Sequence, residues 1–415
     1  MNCLAEFTGR SGLDINLGKS KLFVSSNIQA QVTRSFSASC GIPLTSDLGI
    51  YLGVPIIHSR HSSASYKHVL EKMQLKLTGW KQKFLSLAGR RTLVQSVTSS
   101  IPAYTMQTRL LPKATCEAID RLNRRFLWGS DISPNKPHLV SRNDVSLPRA
   151  FGGLGLRLAY EHNKALIAKL GWQLFSGHNK PWCQVFQQKY LSNKSLFNYP
   201  VKPSSSVTWQ TILRCNDVLH LGIRWRVGSG NSINLWQDIW VGDSKLQDVV
   251  ENPIPPNLLD FKVSNIISPN QSWDITCLQH LLPNHLLNLI IAIPLPIAGS
   301  VNDGVYWQGS LNGEFSVKFA FLLIQQSRLN DLLNGIHWTW IWKLDCAERI
   351  KMFVWLLFRG VVQTNSVRFT RHLASTPVCP RCEQASETPL HLLMDCYYAK
   401  QVWEYSGNVP SNFSH

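Results

Sequence analysis

The chain has 415 residues, enough for two or three domains, and 44% of them are hydrophobic, which is ample for folded cores. Lysine and arginine total 42 against 25 acidic residues, so the net charge is +17 and the sequence pI is near 9.6. This excess indicates polyanionic partners, with nucleic acid the natural one, although a merely soluble basic protein would also carry it. The most apolar stretch, residues 286–293, lies between prolines and is too short for a bilayer span, which argues against a membrane protein.

The number and spacing of the cysteines indicate the cellular compartment of the protein. The chain has ten cysteines, and no signal peptide precedes them. Seven are scattered without regular spacing: Cys3, Cys40, Cys116, Cys183, Cys215, Cys277 and Cys346. A reducing setting fits this pattern better than a secreted, disulfide-bonded one. We therefore expect an intracellular protein, compatible with the nucleus, that is neither secreted nor bound to a membrane.

The first 60 residues mix short apolar strings with turn residues. Leu22-Phe23-Val24 and Tyr51-Leu52-Gly53-Val54 are examples, and both predict short strands. From Ser65 the apolar positions recur every three or four residues, which predicts one buried helical face. These positions are Val69, Met73, Leu77, Trp80, Phe84 and Leu87.

Cations lie off that apolar stripe. They are Lys72, Lys76, Lys81 and Lys83, and the string Gly89-Arg90-Arg91 then interrupts or ends the predicted helix. A further helix is predicted where Ile119, Leu122 and Phe126 recur at helical spacing. It carries a second group of cations, Arg121, Arg124 and Arg125.

The middle of the chain is less clearly patterned. Gly152-Gly153-Leu154-Gly155 lacks the Lys-Ser/Thr of a phosphate loop and predicts a tight backbone turn. Residues 228–231, Gly-Ser-Gly-Asn, predict a hairpin that pairs residues 225–227 with residues 233–236. Prolines and glycine between residues 294 and 304 predict a domain boundary there.

The most specific motif lies near the end of the chain. Cys379, Cys382, His391 and Cys396 follow the spacing C-x2-C-x8-H-x4-C, which suits one tetrahedral Zn²⁺ per chain. Thr388 and the proline after it predict the start of a short helix that carries the imidazole. All four coordination positions are filled by protein, so the site is predicted to be structural. A coincidence of three cysteines with a core histidine is the alternative.

The strings around this quartet resemble the zinc-binding domain that follows the reverse transcriptase in plant non-LTR (LINE-type) retroelement polyproteins. Those strings are Trp342-Lys343-Leu344, residues 349–355, Glu387-Thr388, Ala399 and Val402-Trp403. Earlier segments are similar to the same family in the same order: residues 12–21, 51–55, 152–156, 225–228, 236–240 and 313–318. Relatives in this family often carry a ribonuclease H name.

The resemblance implies a domain order. Residues 1–60 would be a remnant of the polymerase palm and connector, 61–150 a thumb-like basic helical region, 151–300 a middle connector region and 301–408 the zinc-binding domain. The predicted fold class is α+β, mainly helical, with polymerase-thumb-like helices, short β-hairpins in the middle region and a small C-terminal helical zinc module. In that module, Leu390, Leu393 and Met394 are predicted to pack against Phe353 and Trp355.

A thumb packs on the template-primer duplex through its backbone, so cations on a helix face suffice for contact. The predicted partners are RNA, DNA or an RNA–DNA hybrid, together with the missing polymerase part. The predicted contact residues are Lys72, Lys76, Lys81, Lys83, Arg90, Arg91, Arg121, Arg124 and Arg125. An ordinary solvated charged face is the alternative for any one of them.

Catalysis is where the chain departs from the family. Nucleotidyl transfer needs two carboxylates that converge on two divalent cations, and no Asp-Asp pair occurs in this sequence. Asp14, Asp47 and Asp120 are predicted to be capping or surface residues. We expect a truncated reverse-transcriptase-like protein that binds nucleic acid and has no catalytic residue. Two alternatives stay open: an RNA-directed DNA polymerase whose catalytic part lies upstream or in another chain, and a protein-interaction scaffold.

Overall fold

A computed structural model describes residues 2–25, 27–51, 53–56, 63–78, 84–129, 138–191, 197, 199–250, 252–296, 301–330 and 337–407. The described part is mainly helical, with two small two-stranded antiparallel sheets and a Cys/His cluster near its C-terminal end. The predicted fold class is thereby confirmed. No helix in the described ranges is both long and apolar enough to cross a bilayer.

The described helices range from four to 17 residues in length. In chain order they are α1 (Asn2–Ser11), α2 (Ala30–Cys40), α3 (Lys67–Leu77), α4 (Leu87–Leu93), α5 (Ala103–Met106), α6 (Lys113–Trp128), α7 (Arg142–Ser146), α8 (Ala159–Phe175), α9 (Pro181–Phe186), α10 (Val207–Leu213), α11 (Asn216–Gly222), α12 (Asn284–Ala292), α13 (Val317–Asn330), α14 (Thr339–Lys343), α15 (Glu348–Phe358), α16 (Asn365–Thr370) and α17 (Tyr397–Ser406). The strands are β1 (Ile50–Tyr51), β2 (Val54–Pro55), β3 (Ile223–Arg226) and β4 (Gly304–Trp307).

The chain divides into two compact units. The first comprises residues 1–105, 111–159 and 337–415, and the second comprises residues 106–110 and 160–336. The first unit therefore joins the predicted thumb-like helices to the C-terminal Cys/His cluster. The four-part domain order drawn from the sequence stays a prediction.

The N-terminal 56 residues were only partly predicted. β1 and β2 pair as Ile50 with Pro55 and Tyr51 with Val54, which confirms short strands there. Leu22 forms a single bridge with Leu44, and two helices, α1 and α2, occupy much of the remainder. The sequence did not predict these helices, and α2 buries none of its side chains, so no buried apolar stripe marks it.

Helix α3 confirms the predicted apolar stripe as far as Leu77, since Val69, Met73 and Leu77 are buried. The prediction that Phe84 belongs to this stripe was wrong: its side chain is 78% exposed, because the helix ends at Leu77 and Thr78 is extended. Trp80 lies outside the described residues. Gly89 does not break a helix either, because it lies inside α4, whose N-terminus is capped by the Ser86 hydroxyl.

The glycine turn after α7 is confirmed. Gly152 and Gly155 adopt positive φ angles of 78° and 68°, and the N–H of Gly155 donates to the carbonyl of Leu147. The carbonyl of Gly152 accepts a hydrogen bond of 2.8 Å from the indole N–H of Trp355 and one of 3.1 Å from Nε of Arg359. The turn therefore anchors α15, the helix that comes before α16 and the Cys/His cluster.

The second unit has two apolar cores rich in tryptophan. Trp172, Trp209 and Trp307 belong to one, and Trp236 and Trp240 belong to the other. Most tryptophans of the described part are thus packing residues.

The predicted hairpin in the second unit was wrong. β3 pairs with β4, with Ile223 opposite Trp307, and not with residues 233–236. The loop after β3 is held instead by the Asp303 carboxylate, which accepts hydrogen bonds from the backbone N–H groups of Gly228, Gly230 and Ser232 at 2.7–2.9 Å. A carboxylate that satisfies three loop donors fixes the loop without a paired strand.

Candidate metal centre and basic surface

A tight turn carries the first two cysteines of the cluster. Val378 and Ser386 form an antiparallel bridge, and the N–H of Cys379 donates to the carbonyl of Ala385 at 2.8 Å. The N–H of Glu383 donates back to the carbonyl of Cys379 at 2.9 Å. Glu383 takes a positive φ of 57°, a costly conformation for a residue with a Cβ. The strained turn directs both thiols of the C-x-x-C motif to one side.

The other two side chains flank a π-helical turn, His391–Asp395. Its start is fixed by Thr388, whose hydroxyl accepts a hydrogen bond of 3.1 Å from the N–H of His391, so the predicted helix cap is confirmed. The N–H of Cys396 donates to the carbonyl of His391 at 2.9 Å, and α17 begins directly after Cys396. The indole N–H of Trp403 on α17 donates to the carbonyl of Leu393 at 2.7 Å. The ligand segment and α17 are therefore held together.

The four predicted ligands converge. One ligand atom from each of Cys379, Cys382, His391 and Cys396 lies within 4.8 Å of all the others. The separation between Cys382 Sγ and His391 Nε2 is 3.3 Å. Atoms bound tetrahedrally at about 2.0–2.3 Å from one Zn²⁺ would lie roughly 3.3–3.8 Å apart. Three thiols and an imidazole at this spacing fit a single zinc ion.

Burial and backbone hydrogen bonds shift the pKa values of two of the thiols in opposite directions. Burial raises the pKa of the Cys379 thiol, which is fully buried and hydrogen-bonds to neighbouring thiols. Hydrogen bonds from the backbone at Gln384, and then from Ala385, His391 and Cys379, lower the pKa of Cys382 to about 7. A backbone donor that points at sulfur stabilises the thiolate, the form that binds metal.

Sequence reasoning missed a buried carboxylate that ties the cluster to the helix before it. Glu387 is 8% exposed, and its Oε2 accepts a hydrogen bond of 2.5 Å from the N–H of Asn365, the first residue of α16. The side chain of Asn365 donates to the carbonyl of Val378 at 3.0 Å. A carboxylate near a helix N-terminus accepts hydrogen bonds from backbone N–H groups and interacts favourably with the helix dipole. The signal was a Glu directly before the cap Thr388.

The predicted packing of the ligand segment against α15 was wrong. Trp355 is fully buried, but it packs with residues such as Leu127 and Leu154, far from the cluster in sequence. Phe353 is 41% exposed and Leu390 is 59% exposed. The cluster is supported by α16 and α17 instead, through the hydrogen bonds of Glu387 and Trp403.

The predicted nucleic-acid residues fall into two groups. Lys72 and Lys76 are exposed on α3, and Arg121 and Arg125 are exposed on α6. Each pair is spaced by four residues and so shares one helix face. The two helices pack against each other. The four side chains thus belong to two adjacent helices of one unit.

The other predicted cations are less accessible. Arg91 is 9% exposed, its Nε donates to the carbonyl of Leu154 at 2.8 Å, and burial lowers its pKa to about 10. Its position supports packing rather than phosphate contact, because α4 turns it inward. Arg90 and Arg124 are half-buried. Lys81 and Lys83 lie outside the described residues.

The isolated acids behave largely as predicted. The Asp47 carboxylate accepts a hydrogen bond of 2.8 Å from the N–H of Gly49, as a turn cap does. Asp120 is not a surface residue, because it is 6% exposed and paired with Arg142. It also caps α8 from a distance by accepting the N–H of Ala159 at 3.0 Å.

Comparison with known proteins agrees with this geometry. A protein of Arabidopsis thaliana, whose name provisionally assigns it to ribonuclease H, is 33% identical over 354 residues, which are 84% of this chain. The chain spans 57% of that relative's length. An uncharacterized mitochondrial protein of Arabidopsis thaliana is 25% identical over 158 residues, which are 38% of this chain and 98% of that protein.

The family model described as zinc-binding in reverse transcriptase matches residues 315–403. The matched segment contains all four residues of the Cys/His cluster. Residues 315–403 therefore form the zinc-binding domain found in reverse transcriptases, as the resemblance predicted.

Proposed function

We propose that this chain binds the backbone of RNA, DNA or an RNA–DNA hybrid through α3 and α6, and that a structural zinc ion holds its C-terminal module. The observation that supports binding most directly is the pair of adjacent helices that expose Lys72, Lys76, Arg121 and Arg125. The match of residues 315–403 to the zinc-binding domain of reverse transcriptases supports nucleic acid as the polyanion.

The local charge balance favours a phosphate-binding face over a self-neutralised one. Among the described residues, neither Lys72 nor Arg121 forms an ion pair. Glu117 is exposed four residues before Arg121, yet the two form no ion pair in the described part of the chain. Cations that form no ion pair remain available for phosphate, and counterion release then drives association.

The chemistry of the cluster supports a structural rather than catalytic zinc. Cys379, Cys382, His391 and Cys396 would supply all four ligands of a tetrahedral ion, which leaves no position for water or substrate. Cys379 and Cys396 are 0% and 3% exposed, so a reactant has no access from their side. A bound ion would hold the strained turn, the π-helical turn and α17 in one arrangement.

Replacing Arg121 and Arg125 together with alanine should flatten the salt dependence of nucleic-acid binding. Each lost phosphate contact lowers the slope of log K against log salt by about 0.9 on duplex DNA, so we expect a decrease of roughly 1.8. Affinity should fall equally for unrelated sequences, because phosphate contacts carry no sequence information. Fluorescence anisotropy with two duplexes and one hybrid across a salt series measures both effects.

The matched control for this experiment is a pair of cations elsewhere in the chain. Lys169 and Lys202 are exposed in the second unit. Their joint replacement by alanine removes the same charge and should leave the slope within experimental error. An equal flattening by both double variants would assign binding to the net charge alone and contradict the proposed surface.

We also expect the purified chain to extend no primer and to cleave no RNA–DNA hybrid in magnesium or manganese. The motivation is the lack of an Asp-Asp pair in the sequence, since two-metal chemistry needs converging carboxylates. Primer extension and hybrid cleavage assays check this, with an active reverse transcriptase as positive control. Metal-dependent product from this chain that survives a second purification step would overturn the expectation.

A further inference from the structure

A cavity of about 40 Å³ lies beside α6 in the first unit. Its wall includes Asp120, Asn123, Arg124 and Trp128 from α6, together with Arg142 and Arg157. A cavity of this size has room for about three water molecules or one tetrahedral oxyanion, since one water molecule needs about 10–15 Å³.

The wall of the cavity carries an excess of positive charge. Arg124, Arg142 and Arg157 line it together with one carboxylate, that of Asp120. That carboxylate is already engaged by Arg142 and by the backbone N–H of Ala159. Arg124 forms no ion pair with a described residue, so its charge exceeds what the carboxylate neutralises. In a partly buried site such an excess is destabilising unless an anion compensates for it.

The same wall holds buried hydrogen-bond donors with no acceptor. Nε1 of Trp128, Nε of Arg124 and Nε of Arg142 are buried and donate to no described residue. Trp128 is 3% exposed. Asn123 adds a further donor, because its Oδ1 accepts a hydrogen bond of 2.7 Å from the Thr98 hydroxyl and its amide nitrogen is thereby left to donate.

Each of these groups calls for a partner that accepts hydrogen bonds. Buried polar groups are nearly always paired, and three unpaired donors at one cavity are unusual. Water could accept from one or two of them but would leave the excess charge in place. A tetrahedral oxyanion accepts several hydrogen bonds at once and also neutralises the arginines.

We propose that this cavity binds one phosphate group, held by Arg124, Arg142 and the indole N–H of Trp128. The phosphate is supplied by a nucleic-acid strand or by free inorganic phosphate. Arg142 and Arg157 are partly or fully exposed, so a phosphate can reach the site from solvent. If the source is a strand, the site adds a fixed contact to the exposed face of α3 and α6 and rests on the proposed function. If the source is free phosphate, the site is independent of the proposed function.

The first arm of the test uses inorganic phosphate. The full chain is melted at constant ionic strength as phosphate replaces chloride, and a phosphate level near ten times Kd should raise Tm by about 3 °C. Arg124→Gln should largely remove this rise, and Trp128→Phe, tested separately, should reduce it. Lys169→Gln removes an exposed charge in the second unit and should keep it. The control also shows any general salt effect of phosphate.

The second arm uses an RNA–DNA hybrid of one fixed sequence. Arg124→Gln should lower the salt slope by about one, as loss of one phosphate contact does. Trp128→Phe removes a neutral donor but no charge, so it should weaken binding about two- to tenfold with an unchanged slope. Weaker binding by Trp128→Phe at an unchanged salt slope would indicate a contact in the cavity, because a general loss of surface charge would change the slope.

The outcomes distinguish the sources and the proposals. Effects in both arms support a phosphate site that takes the strand. Loss of the phosphate-dependent rise without a change in hybrid binding supports the site with free phosphate as its ligand. If the wild-type chain shows the phosphate-dependent rise in Tm but binds no hybrid, the proposed function is refuted and the phosphate site is still supported. If neither arm separates Arg124→Gln from Lys169→Gln, the cavity is not a phosphate site.

Discussion

Replacing Cys396 with serine is expected to abolish stoichiometric zinc binding and to open residues 375–400 to protease. Cys396 is 3% exposed and its thiol is one of four ligand atoms that lie within 4.8 Å of one another. Zinc contributes folding free energy directly when ligands come from short segments with little core, on the order of 10 kcal/mol in comparable peptides. Metal analysis by mass spectrometry and limited proteolysis measure the two effects.

A matched control replaces a cysteine outside the cluster. Cys277 is an exposed free thiol in the second unit, so Cys277→Ser removes one sulfur and should keep one zinc per chain. Chelation of the wild-type chain should reproduce the Cys396→Ser digestion pattern. Wild-type protein that contains no zinc, or a C-terminal fragment that resists protease equally well after chelation, would contradict both the site and its structural role.

The structure also defines how far the disruption should spread. The packing predicted between the ligand segment and Trp355 would carry the disruption to α15, but that side chain packs with Leu127 and Leu154. The cluster is instead joined to α16 by the Glu387 carboxylate and to α17 by the Trp403 indole. Those two helices should lose protection together with the cluster, whereas α15 should keep its contact with the glycine turn.

The cluster could be predicted from the sequence because its geometry is local. Cys379, Cys382, His391 and Cys396 fall within eighteen residues, and a tight turn followed by a short helix brings them together without distant contacts. The stripe Val69, Met73 and Leu77 was predictable for the same reason, since one helix period decides which side chains are buried. The identity of the capping Thr388 also follows from its immediate neighbours.

The errors occur where distant residues decide the structure. Nothing near β3 indicates that β4, about eighty residues later, will be its partner, or that Asp303 will hold the intervening loop. Arg91 resembled the other cations of the predicted thumb, yet the carbonyl of Leu154, 63 residues away, holds its Nε in the interior. Hydrophobic periodicity identifies the buried face of one helix or strand, but it does not specify which other element packs against that face.

Replacing Gly153 with alanine is expected to be among the most damaging single changes in the first unit. A Cβ at this position would lie 1.9 Å from the carbonyl oxygen of Leu147 and 2.4 Å from its carbonyl carbon. Both atoms belong to the backbone, so no side chain can rotate away. We expect a loss of about 4 kcal/mol or more in the free energy of unfolding, the range reached when strain or a lost network has no local relief.

Gly155, two residues further along the turn, provides the matched control and separates close packing from backbone strain. It has a positive φ of 68°, but nothing lies within 4 Å of an added Cβ, so Gly155→Ala should lose only about 1 kcal/mol. Gly153→Ala should in addition shift the Gly152 carbonyl and break its hydrogen bonds from Trp355 and Arg359, which would release α15. Denaturant unfolding measures the two losses, and hydrogen exchange at residues 348–358 reports the release. Equal losses for the two variants would mean that the turn tolerates displacement and that close packing against Leu147 does not fix α15.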